Sequence, residues 1–498
     1  MPPKELPGLY YDPEKNRYFP IRGPIPGAAA HRPPPPAPPT PPPAATAGGC
    51  SRKRARRPEL LSAREMYGGG VIFSNKATRS TFKQQCHYVQ AAQPMVWKYQ
   101  ATASVADKAL VQLNTTVQTP QGLRKSRMLV TGSMNGSIRL YGLGSALNNF
   151  GNEMEFWPQP AWTPMGKHKS AALPSIWSSE AAFSILSSGI TCIQKFGPHV
   201  PDASSNSSVQ QALVATLGSG ESGGSVYVMD LSDTIETTIG SWTRVASLDH
   251  TVWTADCSSD SKHAAFGTDH GAGLVDLETR GFSRLCRSKS AILSLKFVHS
   301  GNVVLCGLRN GSIAPVDVRQ KHLNHPTGVP SPSTARRTVP MLSTRHHGRW
   351  RNQADKDKCS RDISMSSAVC SLVTLSSDEN YFLGSSMDGS IKLFDLRLIQ
   401  KGGIQSYEGH VNSHTQLPLV VDPSETLLMS GGEDCTVRIW SIKTGELIFA
   451  QSVADTPFTA FCWPENSHDL CGSSLLDANH SWGAWLGSHD GLFYMHGT

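Results

Sequence analysis

One short phrase recurs seven times along this chain and narrows the folds open to it. The phrase is an apolar pair, a small residue, a Gly- or Asp-bearing turn, then alternating apolar residues that often close on an acid. It reads LVTGSMNGSIRLYGL from Leu129, LVATLGSGESGGSVYVMDL from Leu213, AAFGTDHGAGLVDL from Ala264 and VLCGLRNGSIAPVDVR from Val304. LGSSMDGSIKLFDLR from Leu383, LMSGGEDCTVRIWSI from Leu428 and WLGSHDGLFYMHG from Trp485 complete the set. Two apolar-alternating runs joined by such a turn specify a β-hairpin. A second signal precedes most copies: ITCIQKF at Ile190, VWTADCS at Val252, AILSLKF at Ala291, AVCSLVTL at Ala368 and FTAFCWP at Phe458 read as inner strands. A small sheet cannot bury both its faces alone, so hairpins recurring about every 40–50 residues imply blades packed around an axis. The expected fold is all-β, a seven-bladed β-propeller.

A propeller grows by repetition, so 498 residues do not demand a second fold. The expected organisation is a docking segment over residues 1–20, a largely disordered extension over 21–85, and the propeller over 86–498, with insertions at about 144–188 and 320–364. Blade sequence begins near Cys86, and a segment around Met95 to Val105 is expected to supply the last blade's missing outer strand. Residues 24–49 are Pro- and Ala-rich with little charge, a composition that stays extended. The 320–364 insertion is polar and basic and is expected to be mobile. Between them Tyr10, Tyr11, Tyr18 and Phe19 flank a Pro-Glu-Lys-Asn turn; a two-stranded hairpin is marginal alone, so it should dock on a surface.

The net charge of +7 is local. Residues 51–83 hold nine basic and two acidic side chains, and residues 320–364 hold nine and three, which more than accounts for the excess. The remainder is near neutral or slightly acidic, so no direct nucleic-acid binding is expected. No apolar run is long enough to span a bilayer, and the first residues lack a signal-peptide core, so a soluble intracellular protein is expected, with no membrane partner. RKRARR at 52–57 suits nuclear import and equally suits a solvated charge cluster; the expected location is the nucleus, with the cytoplasm second. The 11 cysteines form no Cys-x-x-Cys pair, and Cys192, Cys306, Cys370 and Cys462 fall in strands as small apolar groups.

Several motifs imitate catalysis. GSGESGG at 218–224 satisfies two glycine fingerprints, but each needs a helix to follow and SVYVMDL is a strand, so Ser222 reads as a turn residue. His346 and His347 have no partners at ligand spacing, so neither a metal nor a cofactor is expected. His410, Ser430, Asp434 and Trp440 match the structural network of a full WD repeat, a buried chain that satisfies polar groups. No nucleophile or phosphate loop stands in suitable context, so the chain is not expected to be an enzyme.

Two successive blades finish alike, with Val316-Asp317-Val318-Arg319 and Phe394-Asp395-Leu396-Arg397. Alternation puts Asp and Arg on one side, where the acid can hold the guanidinium while its fork faces a partner; a merely local ion pair is the alternative. With MDGSIKLFDLR at 387–397, YEGHVN at 407–412, GGEDCTVRIWSI at 431–442 and ELPGLYYDPEKNRYF at 5–19, the chain resembles the cullin-four-associated WD-repeat factors. The close resemblance covers residues 5–20 and about 365–445. It implies a non-catalytic substrate receptor of a cullin-four RING ubiquitin ligase, docking on the ligase adaptor, damage-specific DNA-binding protein one, through a signature ending in WDxR. It would present a target protein, whose identity is not legible, for ubiquitination. The implied adaptor-binding residues are Asp317, Arg319, Phe394, Asp395 and Arg397; Phe394 replaces the Trp as an aromatic plug, and Val316 departs further. The competing reading is a WD-repeat scaffold in a nuclear chromatin or RNA assembly, which does not require Asp-x-Arg on adjacent blades.

Overall fold

The structure, a computed structural model, describes residues 9–12, 17–20, 70–71, 80–119, 122–144, 153–164, 173–179, 182–196, 211–219, 222–231, 241–298, 300–320, 363–398, 401–464 and 482–497. Seven antiparallel sheets follow one another, and every hairpin read from the sequence forms the second and third strands of one blade. In the first blade these are Gly122–Gly132 and Ser137–Leu143, and in the last Gly483–Ser488 and Gly491–His496. Gly136, Gly311 and Gly389 take φ of 84°, 88° and 82° in the hairpin turns, a region that side chains disfavour. In the sixth blade Cys435 occupies the equivalent place at φ 58°.

Seven apolar clusters fill the gaps between blades, because alternate residues of one strand serve opposite neighbours. In the second strand of the second blade, Ala212 and Val214 join the cluster with the first blade, while Leu213 and Ala215 join that with the third. The seam between the fourth and fifth blades gathers Leu305, Ile313, Val369, Phe382 and Phe394. A half-buried ion pair crosses another seam, where the buried Asp256 accepts from Lys296 Nζ at 2.7 Å and from the Phe297 amide at 2.8 Å. The axis is a channel of about 860 Å³, lined by inner-strand residues of the blades.

The ring closes with Met95–Tyr99 as fourth strand of the last blade, in register with Gly491–His496 through Tyr494 opposite Trp97. Three features differ from the sequence reading. A helix, Phe82–Ala91, stands where blade sequence was expected to begin, with Tyr88 Oη 3.2 Å from Ser441 Oγ and His87 Nδ1 2.9 Å from Thr426 Oγ1. The 144–188 insertion contributes strands: Ile176–Ser179 and Phe183–Ile185 both edge the first blade, and Pro158–Trp162 adds a fifth strand to the last. Ile363–Ser364, inside the second expected insertion, is the outer strand of the fourth blade. The rest of that insertion, residues 321–362, lies outside the described residues, as do 52–57, His346 and His347. The N-terminal pairing of Leu9–Asp12 with Arg17–Pro20 belongs to a separate compact unit, Met1–Arg54.

Candidate functional site

Each blade runs its strands in the same up-and-down order, so the third strands of neighbouring blades end on the same face. Ser312–Asp317 and Ile391–Asp395 therefore deliver their Asp-x-Arg finishes side by side. In each, the acid caps the turn and grips the guanidinium. The Arg397 amide donates to Asp395 Oδ1 at 2.8 Å, its Nε to the same oxygen at 2.9 Å, and its Nη2 to Oδ2 at 2.8 Å. Arg319 repeats the three bonds to Asp317 at 2.9, 3.1 and 2.9 Å. Hydrogen bonds from the guanidinium hold the Asp395 carboxyl below the usual carboxylate range and keep Arg397 protonated; Asp317 and Arg319 shift likewise.

Exposure separates the two roles within each pair. The Asp395 side chain is 3% exposed and that of Arg397 55%; for Asp317 and Arg319 the values are 25% and 70%. The carboxylate is thus a support behind a guanidinium whose Nη1 takes none of these bonds. A bidentate grip of this kind fixes the fork while leaving donors for a partner. The third blade shows what the acid does alone: Asp276 ends the equivalent strand, accepts from the amides of Glu278 and Thr279, and has no Arg two positions on. The turn needs the Asp. The Arg is an addition confined, among the described third-strand ends, to the fourth and fifth blades.

Phe394 does not share this surface. Extended backbone points neighbours to opposite sides, so with Asp395 at the turn Phe394 enters the core, 1% exposed and stacked on Phe382 at 5.2 Å and 18°. Its ring supports the turn from within the blade seam and does not stand at the surface with Arg397. Val316 likewise packs against the cluster between the third and fourth blades. Tyr381, absent from the sequence-derived set, takes part instead: it lies opposite Asp395 in register, its Oη accepts from Arg397 Nη2 at 3.3 Å, and its ring centroid is 5.5 Å from the guanidinium carbon. Leu398, 41% exposed, follows Arg397 and offers apolar surface beside it.

Three of the four residues expected to form one WD network meet, His410 standing edge-on to Trp440 with ring centroids 6.2 Å apart, and Asp434 leaves it. His410 and Ser430 do meet, at 3.4 Å, and His410 Nε2 donates to the Gly431 carbonyl at 2.9 Å. Trp440, fully buried, donates from Nε1 to the Glu408 carbonyl at 2.9 Å, and Ser430 turns to the Pro418 carbonyl at 3.0 Å. Asp434 turns to Arg438, accepting from Nη1 at 2.8 Å and also from Nη2. A charged fork four residues along outbids an imidazole whose pKa burial has lowered, because charge-assisted bonds are the stronger ones. Ser222 lies in a turn with Ser219, and strand Ser225–Asp230 follows, the context that removes both glycine fingerprints. No helix among the described residues is long and apolar enough to cross a membrane.

The fold and this face define a WD-repeat β-propeller with an arginine-bearing edge. Residues 344–460 match the family model described as the DDB1- and CUL4-associated factor 4 beta-propeller domain, and the chain is DCAF4-like over that stretch. It is 43% identical over 101 residues to human DDB1- and CUL4-associated factor 4, and 42% identical over 101 residues to the Bos taurus protein of that name. Those matches cover 19% of this chain and 20% of each relative. Human DDB1- and CUL4-associated factor 4-like protein 2 is 39% identical over 105 residues, 20% of this chain and 26% of that one. Among solved structures, the WD40 beta propeller domain of Doa1 superposes with a TM-score of 0.46 at 14% identity, covering 81% of this chain and 97% of that one. Asp395 and Arg397 fall inside the family match and Asp317 and Arg319 outside it.

Proposed function

We propose that this chain is a non-catalytic substrate receptor of a CUL4 ubiquitin ligase, that it docks on DDB1 through Arg397 and Arg319, and that it presents a bound target protein for ubiquitination. The observation that carries the reading is the tandem arginine pair, each guanidinium locked from behind by a carboxylate and left exposed in front. The names of its relatives, which associate them with DDB1 and CUL4, supply the partner. Arginines pre-ordered in this way lose little freedom on binding, which is what interface hot spots require. Nuclear residence, through residues 52–57, belongs to the same proposal.

Affinity purification of the tagged chain from cells tests it. DDB1 and CUL4 should be recovered with the wild-type chain and lost with Arg319→Ala/Arg397→Ala. Recovery of chromatin or RNA proteins in place of both ligase subunits would replace this reading with the scaffold one.

A further inference from the structure

Seven apolar clusters fill the seven blade seams, and an eighth belongs to none of them. Ala291, Leu293 and Ala368 lie buried with the half-buried Trp253 and Met387. All five sit at the starts of inner strands or in a hairpin turn, which places them around the channel mouth opposite the one bearing Arg319 and Arg397. The connections here are short and tied together. Arg309 donates its amide to the Ala291 carbonyl at 2.9 Å, Met387 to Ala368 at 2.8 Å, and Ser288 to His270 at 3.1 Å. Trp253 is aimed: its Nε1 donates to Asp269 Oδ1 at 2.7 Å, and the Arg309 guanidinium carbon lies 5.4 Å from its ring centroid.

Charge on this rim is lopsided. Arg287, Lys289 and Arg309 are exposed, and none forms an ion pair among the described residues. The exposed imidazoles of His250 and His270 meet edge to face at 4.4 Å beside them. The acids of the same turns are Asp249 and Asp269, and Asp269 is spent on Trp253. Further round the mouth the sign reverses, with Asp388, Glu433 and Asp490 in the hairpin turns of the fifth, sixth and seventh blades.

We propose that this mouth binds a short acidic peptide segment of a partner protein that carries one large apolar side chain. The apolar group would cover Trp253 and Met387 while carboxylates meet Arg287, Lys289 and Arg309. The reversal of charge limits the length of anion that fits: a nucleic-acid strand crossing the mouth would run onto Asp388, Glu433 and Asp490, whereas a few acidic residues stay on the basic side. The site goes beyond adaptor docking and does not depend on it.

The test uses the purified full chain without any ligase subunit. A random peptide library displayed on phage is panned on it, and the most enriched peptide is labelled for fluorescence anisotropy. Enrichment of Asp or Glu around an aliphatic or aromatic residue is expected. Binding should fall about tenfold or more in Arg287→Ser/Lys289→Ser/Arg309→Ser and stay unchanged in Arg319→Ala/Arg397→Ala, each 1.4 kcal/mol being a factor of ten. The triple variant changes only exposed side chains, so circular dichroism should be unaltered. Absence of acidic enrichment, full binding by the triple variant, or tighter binding of a single-stranded oligonucleotide than of the peptide would each overturn the proposal.

Discussion

Replacing Phe394 separates what holds the arginine face from what contacts a partner. The ring is 1% exposed and stacks on Phe382, which is fully buried, in a cluster that also includes Leu305 and Val369. Truncating a buried Phe to Ala costs about 3–5 kcal/mol, through lost transfer energy and the cavity left behind, and ring stacking supplies about 0.5–1.5 of that. Leu keeps most of the volume and should cost about 1–2 kcal/mol. Urea denaturation followed by tryptophan fluorescence should show both midpoints reduced, Ala far more than Leu. The Leu variant leaves Asp395 and the bidentate grip on Arg397 in place, so its affinity for DDB1, measured by calorimetric titration, should stay within about twofold of wild type, well under the tenfold that 1.4 kcal/mol represents. Loss of binding by Phe394→Leu at an unchanged urea midpoint would instead make the ring a contact.

Cys435 holds φ 58° where three sister turns use glycine, a cost of about 1–2 kcal/mol for a side chain. Glycine's greater freedom in the unfolded chain returns about 0.5–1 kcal/mol of the relief, so Cys435→Gly should stabilise by roughly 0.5 kcal/mol, read as a higher urea midpoint. Val96 is fully buried in the strand that closes the ring, and Val96→Asp should lower the melting temperature sharply by placing an unpaired charge there; an unaltered melt would count against closure. Burial lowers the pKa of His410, so below the unfolded value of about 6.5 the unfolded chain binds more protons than the folded one. Stability from this group is therefore complete above that pH and falls as the pH drops through it. A His410→Gln variant, compared with wild type between pH 5 and 8, should show a shallower acid decline, and identical slopes would refute the assignment.

The propeller was legible because most hairpin turns pair a backbone need with a residue that meets it, as Asn135-Gly136 and Asp388-Gly389 do. Outer strands were not, apart from the ring-closing segment that begins at Met95. Ile363–Ser364 has only two paired residues and sits in polar sequence, and the first blade's edge is split between Ile176–Ser179 and Phe183–Ile185. The helix Phe82–Ala91 has no acid in its first turn and no base in its last, so only the Thr81-x-x-Gln84 cap pattern marks its start and nothing marks its end. At the site, alternation placed Asp395 and Arg397 together, and the same rule applied one residue back would have sent Phe394 inward. Tyr381 could be found only from register, since it meets Asp395 across the sheet. The Asp434 to Arg438 pair was hidden for a different reason: the WD pattern names the acid but not a competing base on the next strand.

Arg397, seconded by Arg319, is the proposed anchor for DDB1. Titrating purified DDB1 with wild type, Arg319→Ala, Arg397→Ala and the double variant tests it directly. Truncating a pre-ordered arginine anchor commonly costs about 2 kcal/mol, so Arg397→Ala should bind about thirtyfold more weakly and the double variant more weakly still, with melting temperatures nearly intact. An unchanged dissociation constant for the double variant would contradict the account.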